Sequence, residues 1–407
     1  MSPVVSAPNG QIQEQALKDP DVLPLYVASD IQIGDTSKYA DYILPDTTYL
    51  ERWGREAIYP NITTKFASVY QPVTRVFPNV RSFENSIIEI GKKLELAGVG
   101  DNAFSDGSSL NSEEDFYIKR VANIAYDDQP VPDASQRELT IFEKARTKAL
   151  GKFFDLEKWK KAVKPEEWAK VVYVLNRGGR FEAAGSEYEG NHIKYGYSGQ
   201  ADFYDEGVAA GKNTFDGEFF EGMPLYNGIQ TFDGEAVNQQ QPLQFINWKS
   251  RNLGTYRNVS SAWLREVRSD NYIWMNPDDA KTRNIKTGDT VTIFNDNIKK
   301  EGTVYVTGGI APGVVGAAYN MGQSGYGVNR NTVDGKKEKE LPSYNHTPFA
   351  FSEVMHEEGG YAGHRGDGFI VNKLTEVDTN FKHGVLYDEI GGSPGQLDMY
   401  VNVKRQG

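Results

Sequence analysis

Polar residues that could bind a ligand follow a short apolar run near the start of the chain. Residues 24–28 read Pro-Leu-Tyr-Val-Ala and are followed by Asp30, Gly34 and Thr36. Such a run predicts a buried strand, and ligands of open parallel sheets dock in the loops after the carboxyl ends of the strands. The Asp30 carboxylate could accept hydrogen bonds from a guanine or a ribose. Taken alone, an Asx turn at the end of a strand explains these residues equally well.

Conventional catalytic patterns are poorly represented. His356 and His364 are not spaced i and i+4, as two zinc ligands on one helical face must be, so a solvated acidic loop is favoured over a metal site. Ser324 lacks the glycine two positions later that a nucleophile elbow requires, and the chain has no P-loop. The acidic pairs 205–206 and 216–218 would suit a glycosidase only if they faced each other across a cleft. Solvated loops explain these acidic residues better.

The composition excludes several classes of protein. The 407 residues include 44 Lys and Arg against 56 Asp and Glu, which gives a net charge of −12. Proteins that coat nucleic acid need a basic surface, which this balance does not supply. The chain has no cysteine, so it cannot form disulfides or ligate zinc or an iron–sulfur cluster through thiolates. No apolar run approaches the length of about eighteen residues that a membrane helix needs, and no export signal is visible.

Residues 1–100 are predicted to form an α/β segment. The loop with Asp30 lies between the strand at 24–28 and a second short strand at 39–45, which Pro45 ends. Between residues 82 and 96 apolar side chains recur at helical spacing, which predicts a helix capped by Ser82 and packed on the sheet.

Residues 101–242 are predicted to form a helical insertion rich in glycine and aromatic residues. Helices are expected at 113–125, 135–150 and 156–163, and another is expected to begin at Pro165. The run Lys-Val-Val-Tyr-Val-Leu at 170–175 then predicts a strand, because β-branched and aromatic residues favour extended structure.

Residues 243–407 are predicted to form a β-barrel. Short apolar runs are separated by turn residues, and few helices lie between them, as is typical of a barrel. The predicted strands are 244–248, 272–275, 290–295, 302–307, 313–319 and 399–403.

The sequence resembles a known family of enzymes. Residues 29–54 read SDIQIGDTSKYADYILPDTTYLERWG, and later segments occur in the family's order: Arg177-Gly178-Gly179-Arg180-Phe181, Asn276-Pro277 with Thr287-Gly288-Asp289, and Gly392-Ser393-Pro394. Together they resemble the dimethyl sulfoxide reductase family of molybdopterin oxidoreductases over nearly the whole chain. Within this family the chain is most similar to the catalytic subunits of tetrathionate, arsenate and selenate reductases, and tetrathionate is the favoured substrate.

The resemblance implies a fold and a cofactor. The α/β segment would be the end of the family's third domain, and residues 243–407 would be its fourth domain, a double-psi β-barrel. The implied cofactor is bis(molybdopterin guanine dinucleotide) with molybdenum or tungsten. The catalytic residue and metal ligand stay unknown from this sequence.

The resemblance also implies which residues bind the cofactor. In the α/β segment the family's guanosine loop corresponds to Asp30, Gly34 and Thr36. In the barrel, the family's pterin and diphosphate contacts correspond to a polar stretch that contains three cations, followed by an asparagine where the family usually has threonine. Two further amide side chains later in the chain belong to the same set. These barrel residues are Lys249, Arg251, Arg257, Asn258, Gln323 and Asn372. Gln323 stands where the family often has histidine. Arg177 and Arg180 are candidates for binding an oxyanion substrate.

Members of the family carry, in an earlier part of their sequence, the cysteines of a [4Fe–4S] cluster and the residue that ligates molybdenum. The present sequence, which starts at Met1, does not contain that part. The chain is therefore interpreted as a C-terminal part of such an enzyme, inactive without an N-terminal half that shares the cofactor. The implied partners are that half, a membrane anchor and an iron–sulfur electron-transfer subunit, on the extracytoplasmic side of the membrane. Nucleic acid and direct membrane insertion are not expected. The alternatives are a non-catalytic binding or assembly protein with the same fold and a secreted sugar-active protein.

Overall fold

The structure is a computed structural model that describes most of the chain. It describes residues 3–406 apart from 55–62, 195, 197–198, 200–201, 215–216, 227, 238–239, 255–263, 265–266, 269–270, 297, 324–331, 334–335, 338–368, 382–383, 388–392, 394 and 396–398. The chain divides into two compact units, one formed by residues 1–43 and 201–407 and the other by residues 44–200. The domain boundaries predicted after residues 100 and 242 stay predictions.

The α-helices of the described residues are α1 (Pro3–Ser6), α2 (Gly10–Lys18), α3 (Phe83–Lys93), α4 (Glu113–Tyr126), α5 (Gln136–Leu150), α6 (Leu156–Lys161), α7 (Trp168–Arg177), α8 (Glu206–Ala209) and α9 (Pro277–Thr282). Short 3-10 helices span Ser37–Tyr39, Gly151–Phe153 and Val371–Leu374. In the described part of the chain, no helix combines the length and apolar character needed to cross a membrane.

The strands are β1 (Val27–Asp30), β2 (Tyr42–Pro45), β3 (Phe66–Ser68), β4 (Gly179–Phe181), β5 (Tyr188–Glu189), β6 (His192–Ile193), β7 (Leu243–Trp248), β8 (Ile273–Met275), β9 (Thr290–Phe294), β10 (Lys299–Val306), β11 (Val314–Ala318), β12 (Thr332–Val333), β13 (Lys336–Lys337) and β14 (Met399–Arg405). Strands β1 and β2 form a two-stranded sheet. Both were predicted near these positions.

A closed barrel dominates the first unit, with its strands in the order β10, β8, β11, β7, β14 and β9. β7 pairs in parallel with β11, and β8 pairs in parallel with β10, while the other neighbours are antiparallel. Alternate residues point inward, as in β14, where Met399, Val401 and Val403 are buried between half-buried neighbours. Each of these strands overlaps one of the predicted runs, so the prediction of a barrel is confirmed.

The second unit is built around aromatic side chains, most of which its helices carry. Trp159 is 1% exposed, and its ring centroid lies 5.1 Å from that of Trp53 and 6.1 Å from that of Phe142. Helices α4, α5 and α6 follow the predicted ranges closely. Ser135 caps α5 by accepting a hydrogen bond from the Glu138 N–H, and the Glu138 carboxylate accepts one from the Ser135 N–H in return.

The strand predicted at 170–175 is wrong, because these residues lie inside α7. Val171, Val172 and Leu175 are at most 2% exposed, and their spacing places them on one helical face with Trp168. Burial of this face against the neighbouring helices outweighs the preference of valine for strands. Gly178 ends the helix with φ 71°, a left-handed conformation that suits glycine.

Helix α3 matches its prediction in position. Ser82 caps it by accepting a hydrogen bond from the Asn85 N–H at 3.3 Å. Of the apolar residues that define the predicted packing face, Ile88 is buried, whereas Ile87 and Leu94 are 48% and 63% exposed. This face is therefore largely exposed among the described residues, and its packing on the sheet stays a prediction.

Candidate functional site

The loop after β1 is held by hydrogen bonds within itself. Asp30 Oδ1 accepts from the Ile31 N–H at 2.9 Å, and Oδ2 accepts from the Ser37 hydroxyl at 2.8 Å. The Gly34 N–H donates to the same hydroxyl oxygen at 2.7 Å. These contacts fix the turn and leave the carboxylate with further lone pairs, since a carboxylate can accept about four hydrogen bonds.

Thr36 lies under the first helix of the chain. It is 6% exposed, and its hydroxyl oxygen accepts a hydrogen bond from the Val4 N–H at 3.3 Å. Asn372, which is 7% exposed, donates from its amide nitrogen to the neighbouring Val5 carbonyl at 2.8 Å. Helix α1 therefore brings Thr36 and Asn372, which are far apart in sequence, into one part of the first unit.

Glu14 ties the same segments together by charge. Its carboxylate accepts from the Tyr39 hydroxyl at 2.6 Å and forms ion pairs with Lys18 at 2.8 Å and Lys373 at 3.0 Å. Burial alone would raise the pKa of Glu14, but hydrogen bonds from these three partners outweigh it and lower the pKa to about 2. The carboxylate is therefore ionised at neutral pH.

Asn9 is a polar residue of this region that the sequence analysis missed. It is 5% exposed with φ 52°, and neither its amide oxygen nor its amide nitrogen has a hydrogen-bond partner in the described structure. Its backbone N–H donates to the Thr375 hydroxyl at 3.1 Å. The signal in the sequence is the turn-forming run Pro8-Asn9-Gly10, which does not reveal that the amide is buried.

The barrel presents a second group of predicted residues after β7 and β11. These strands are parallel neighbours, with Gln244 opposite Val314 and Trp248 opposite Ala318, so their carboxyl ends lie at the same end of the barrel. The segment after β7 contains Lys249 and the segment after β11 contains Gln323. The pairing therefore brings the two segments to one end of the barrel.

The segment after β7 is held in place by a buried asparagine. Asn320 accepts from the Ser250 N–H at 2.8 Å and donates to the Leu253 carbonyl at 2.6 Å. Ser250 is buried between Lys249 and Arg251, whose side chains are exposed. Neither cation forms an ion pair with any described residue.

Gln323 is 4% exposed, and its amide oxygen has no hydrogen-bond partner among the residues that the structure describes. A buried carbonyl without a partner costs about 1–3 kcal/mol, so such groups in native proteins call for a partner such as water or a ligand. Arg257 and Asn258, the other predicted residues of this group, lie outside the described residues. No group of three His, Asp or Glu side chains suitable for a metal ion occurs where the structure describes the chain.

The two arginines considered for substrate binding have protein partners. Arg177 pairs with Glu138 at 2.8 Å, and its guanidinium lies 3.5 Å from the centre of the Tyr173 ring. Arg180 donates to the backbone carbonyls of residues 124, 127 and 129. These contacts give both arginines a structural role in the second unit.

Comparison with known proteins identifies the family. Residues 244–348 match the family described as Molydopterin dinucleotide binding domain. This range contains β7–β11 together with Lys249, Arg251 and Gln323, and a homologous reductase matches nearly the whole chain. The chain is similar over most of its length to selenate, tetrathionate and dimethyl sulfoxide reductase subunits. The resemblance stated from the sequence is thereby confirmed.

Two curated relatives show the range of this similarity. The selenate reductase subunit from Mesobacillus selenatarsenatis is 34% identical over 99% of this chain and 39% of its own length. The tetrathionate reductase subunit from Salmonella typhimurium is 29% identical over 80% of this chain and 32% of its own length. The chain thus spans about a third to two fifths of these relatives.

Among solved structures, acetylene hydratase from Pelobacter acetylenicus aligns with 98% of this chain and 42% of its own, at 13% identity and a TM-score of 0.47.

The residues present fit a phosphorylated cofactor of the kind that the family binds. Exposed cations such as Lys249 and Arg251 suit phosphate oxygens. Both amide atoms of Asn9 and the amide oxygen of Gln323 are buried without partners in the described part of the chain and could hydrogen-bond to a heterocycle or a ribose.

Proposed function

We propose that this chain binds one side of a bis(molybdopterin guanine dinucleotide) cofactor and forms part of an oxidoreductase. The observation that carries the proposal is the end of the barrel within the matched family range. There the unpaired cations Lys249 and Arg251 and the buried amide oxygen of Gln323 follow two strands whose carboxyl ends are neighbours.

In this proposal each predicted residue has a defined task. Lys249 and Arg251, with Arg257 from the sequence pattern, bind the diphosphate. Gln323 and Asn258 orient the pterin or its side chain by hydrogen bonds. The cofactor, when bound, supplies two-electron or oxygen-atom transfer at its metal, and the protein supplies binding, orientation and electrostatics.

The residues of the α/β segment would hold a guanosine. Asp30 retains lone pairs that can accept from a base or a ribose, while Gly34 closes the turn by a hydrogen bond to Ser37 and Thr36 fixes the loop to α1. Asn372 and Asn9 would border this guanosine. Asn372 donates a hydrogen bond to α1, the helix that also contacts Thr36, and the Asn9 N–H donates to Thr375, three residues after Asn372.

The finer architecture belongs to the same proposal. The closed mixed barrel would have double-psi topology, and the domains would span 1–100, 101–242 and 243–407. Iron–sulfur and membrane-anchor partners and a location outside the cytoplasmic membrane follow from the family resemblance.

The proposed substrate is an oxyanion of sulfur, arsenic or selenium. Tetrathionate was favoured by the sequence motifs, and the 34% identity to a protein named selenate reductase supports selenate as strongly. A reduced viologen assay with selenate, arsenate and tetrathionate distinguishes these substrates when the chain is co-expressed with the part of the selenate reductase subunit that it does not match. Oxidation of the dye by none of the three would reject the proposed substrate class.

The binding role is tested by cofactor content. In the same complex, replacement of both Lys249 and Arg251 by alanine should lower the guanine nucleotide released by acid. A double replacement of the exposed Lys144 and Lys148 on α5 by alanine removes the same charge elsewhere and serves as the control. Equal nucleotide content in the two double variants would reject the assignment of these cations.

A further inference from the structure

Helix α3 carries an apolar stripe on the exposed side of the second unit. Phe83, Ile87, Ile90 and Leu94 follow one another at intervals of four, three and four residues, which places them on one helical face. Their exposed fractions are 50%, 48%, 47% and 63%. The stripe is therefore continuous over the whole length of the helix.

The other side of α3 is already packed within the unit. Ser86, Ile88 and Gly91 are buried there, and a side chain at Gly91 would come within 3.0 Å of Val99. A helix that is apolar on both faces is normally buried on both. The stripe is thus a face that the described residues leave uncovered.

A groove beside the stripe extends this apolar surface. It has a volume of about 290 Å³, and Leu44 and Pro45 line it together with Ile90. The polar residues Asn79, Arg81, Ser86, Glu89 and Lys93 also line it, and Leu96, just beyond the helix, is 55% exposed. Contiguous exposed apolar surface among polar residues is characteristic of a protein interface.

We propose that a second part of the catalytic subunit docks on this stripe. That part corresponds to the region of the relatives that this chain does not match. The chain aligns over 99% of its length with 39% of the selenate reductase subunit from Mesobacillus selenatarsenatis, so 61% of that protein has no counterpart here. The proposal rests on the proposed function, because it takes the complementary polypeptide from the same enzyme. It holds whether that polypeptide is joined to this chain or separate.

The test uses the complementary 61% of that selenate reductase subunit as the probe, tagged and co-expressed with the full chain. Ile87→Lys places a charge in the middle of the stripe. Ile141→Lys on α5 is the matched control, because Ile141 is the same residue type and is 52% exposed. We expect the probe to retain the unchanged chain and the Ile141→Lys variant, and to retain at least tenfold less of the Ile87→Lys variant.

Several results would overturn the proposal. One is equal retention of the two variants, and another is no retention of the unchanged chain. A third is a dimer of the chain alone that Ile87→Lys dissociates, since a second copy would then cover the stripe.

Circular dichroism verifies that the variant is folded, and Leu94→Lys at the end of the stripe provides a second test. A retained complex without guanine nucleotide would reject the proposed function and leave the docking surface intact. A nucleotide-loaded complex that tolerates Ile87→Lys would reject the docking surface alone.

Discussion

Gln323 buries an amide oxygen that no described residue satisfies. The same is true of both amide atoms of Asn9. Evolution of a stable fold would favour apolar residues there, because an unsatisfied buried polar group costs free energy. A ligand that provides the missing partners would explain why amides stand at these positions.

Replacement of Gln323 by leucine should separate binding from stability. One lost hydrogen bond of about 1–1.5 kcal/mol weakens binding about 5- to 13-fold, so the variant should hold less guanine nucleotide in the complex. The melting temperature should stay unchanged or rise, since an unsatisfied group is removed. Gln240→Leu, at an exposed glutamine of the same unit, is the control. Unchanged nucleotide content in the Gln323→Leu variant would contradict the assignment.

The buried carboxyl group of Glu113 should make the stability of the second unit depend on pH. Burial raises its pKa to about 8, and the nearby carboxylates of Glu114 and Glu84 add to the effect. Below the ordinary pKa of a glutamate near 4.5 both the folded and the unfolded states are protonated, so Glu113 costs nothing there. Between 4.5 and about 8 the unfolded state releases its proton first, and the free energy of unfolding falls as pH rises.

The variant Glu113→Gln should therefore lose this part of the pH dependence. Urea unfolding at several pH values between 5 and 9 measures it. We expect the variant to be more stable than the unchanged chain at pH 9 and similar to it at pH 5. A steeper loss of stability with pH in the variant would show that Glu113 is not held protonated.

At the scale of the elements, the barrel strands pack closely enough to make one glycine necessary. A Cβ atom at Gly316 in β11 would lie 2.4 Å from the Ile246 carbonyl oxygen and 2.8 Å from the Trp248 ring. Because the backbone of β7 cannot move away without breaking its pairing with β11, Gly316→Ala should destabilise the chain by about 1–3 kcal/mol. Chemical denaturation followed by circular dichroism measures this. Gly308→Ala, in a turn with open space around the Cβ position, is the control and should have little effect.

Local sequence predicted most of the barrel strands and helices, because their apolar spacing and end signals agree with the final packing. Ser82 caps α3 as predicted, and β7 and β14 alternate as their sequences do. Helix α7 is the exception, because valine-rich composition favours a strand while the helical spacing of Val171, Val172 and Leu175 favours a helix. Contacts with other helices decide this competition, and a single sequence does not contain them.

The candidate site was predictable only in part, because sequence motifs show residue types and spacing and do not show burial. Motifs located Asp30, Lys249 and Gln323, but they could not indicate which side chains would be buried. Asn9 was missed because its burial depends on Thr375 and on the position of α1, which are tertiary features. Exposure of the α3 stripe was missed because spacing reveals an apolar face and not what covers it.

At the scale of the whole molecule, each compact unit has its own apolar core, around Phe245 in the barrel and around Trp159 in the helical unit. Loss of a large buried ring costs about 3–5 kcal/mol, so Trp159→Ala should strongly destabilise the unit formed by residues 44–200. Hydrogen exchange can follow the two units separately. Protection should fall in α4 and α7 and persist in β7 and β14, and equal loss in both would contradict independent cores.

The whole-molecule account depends on a cofactor bound by this chain in company with the rest of the enzyme. The most direct measurement is the amount of guanine nucleotide and molybdenum in the purified complex of the full chain with its complementary polypeptide. The account predicts both, with guanine nucleotide in amounts comparable to the chain. A stable, folded complex that releases neither guanine nucleotide nor molybdenum would contradict it.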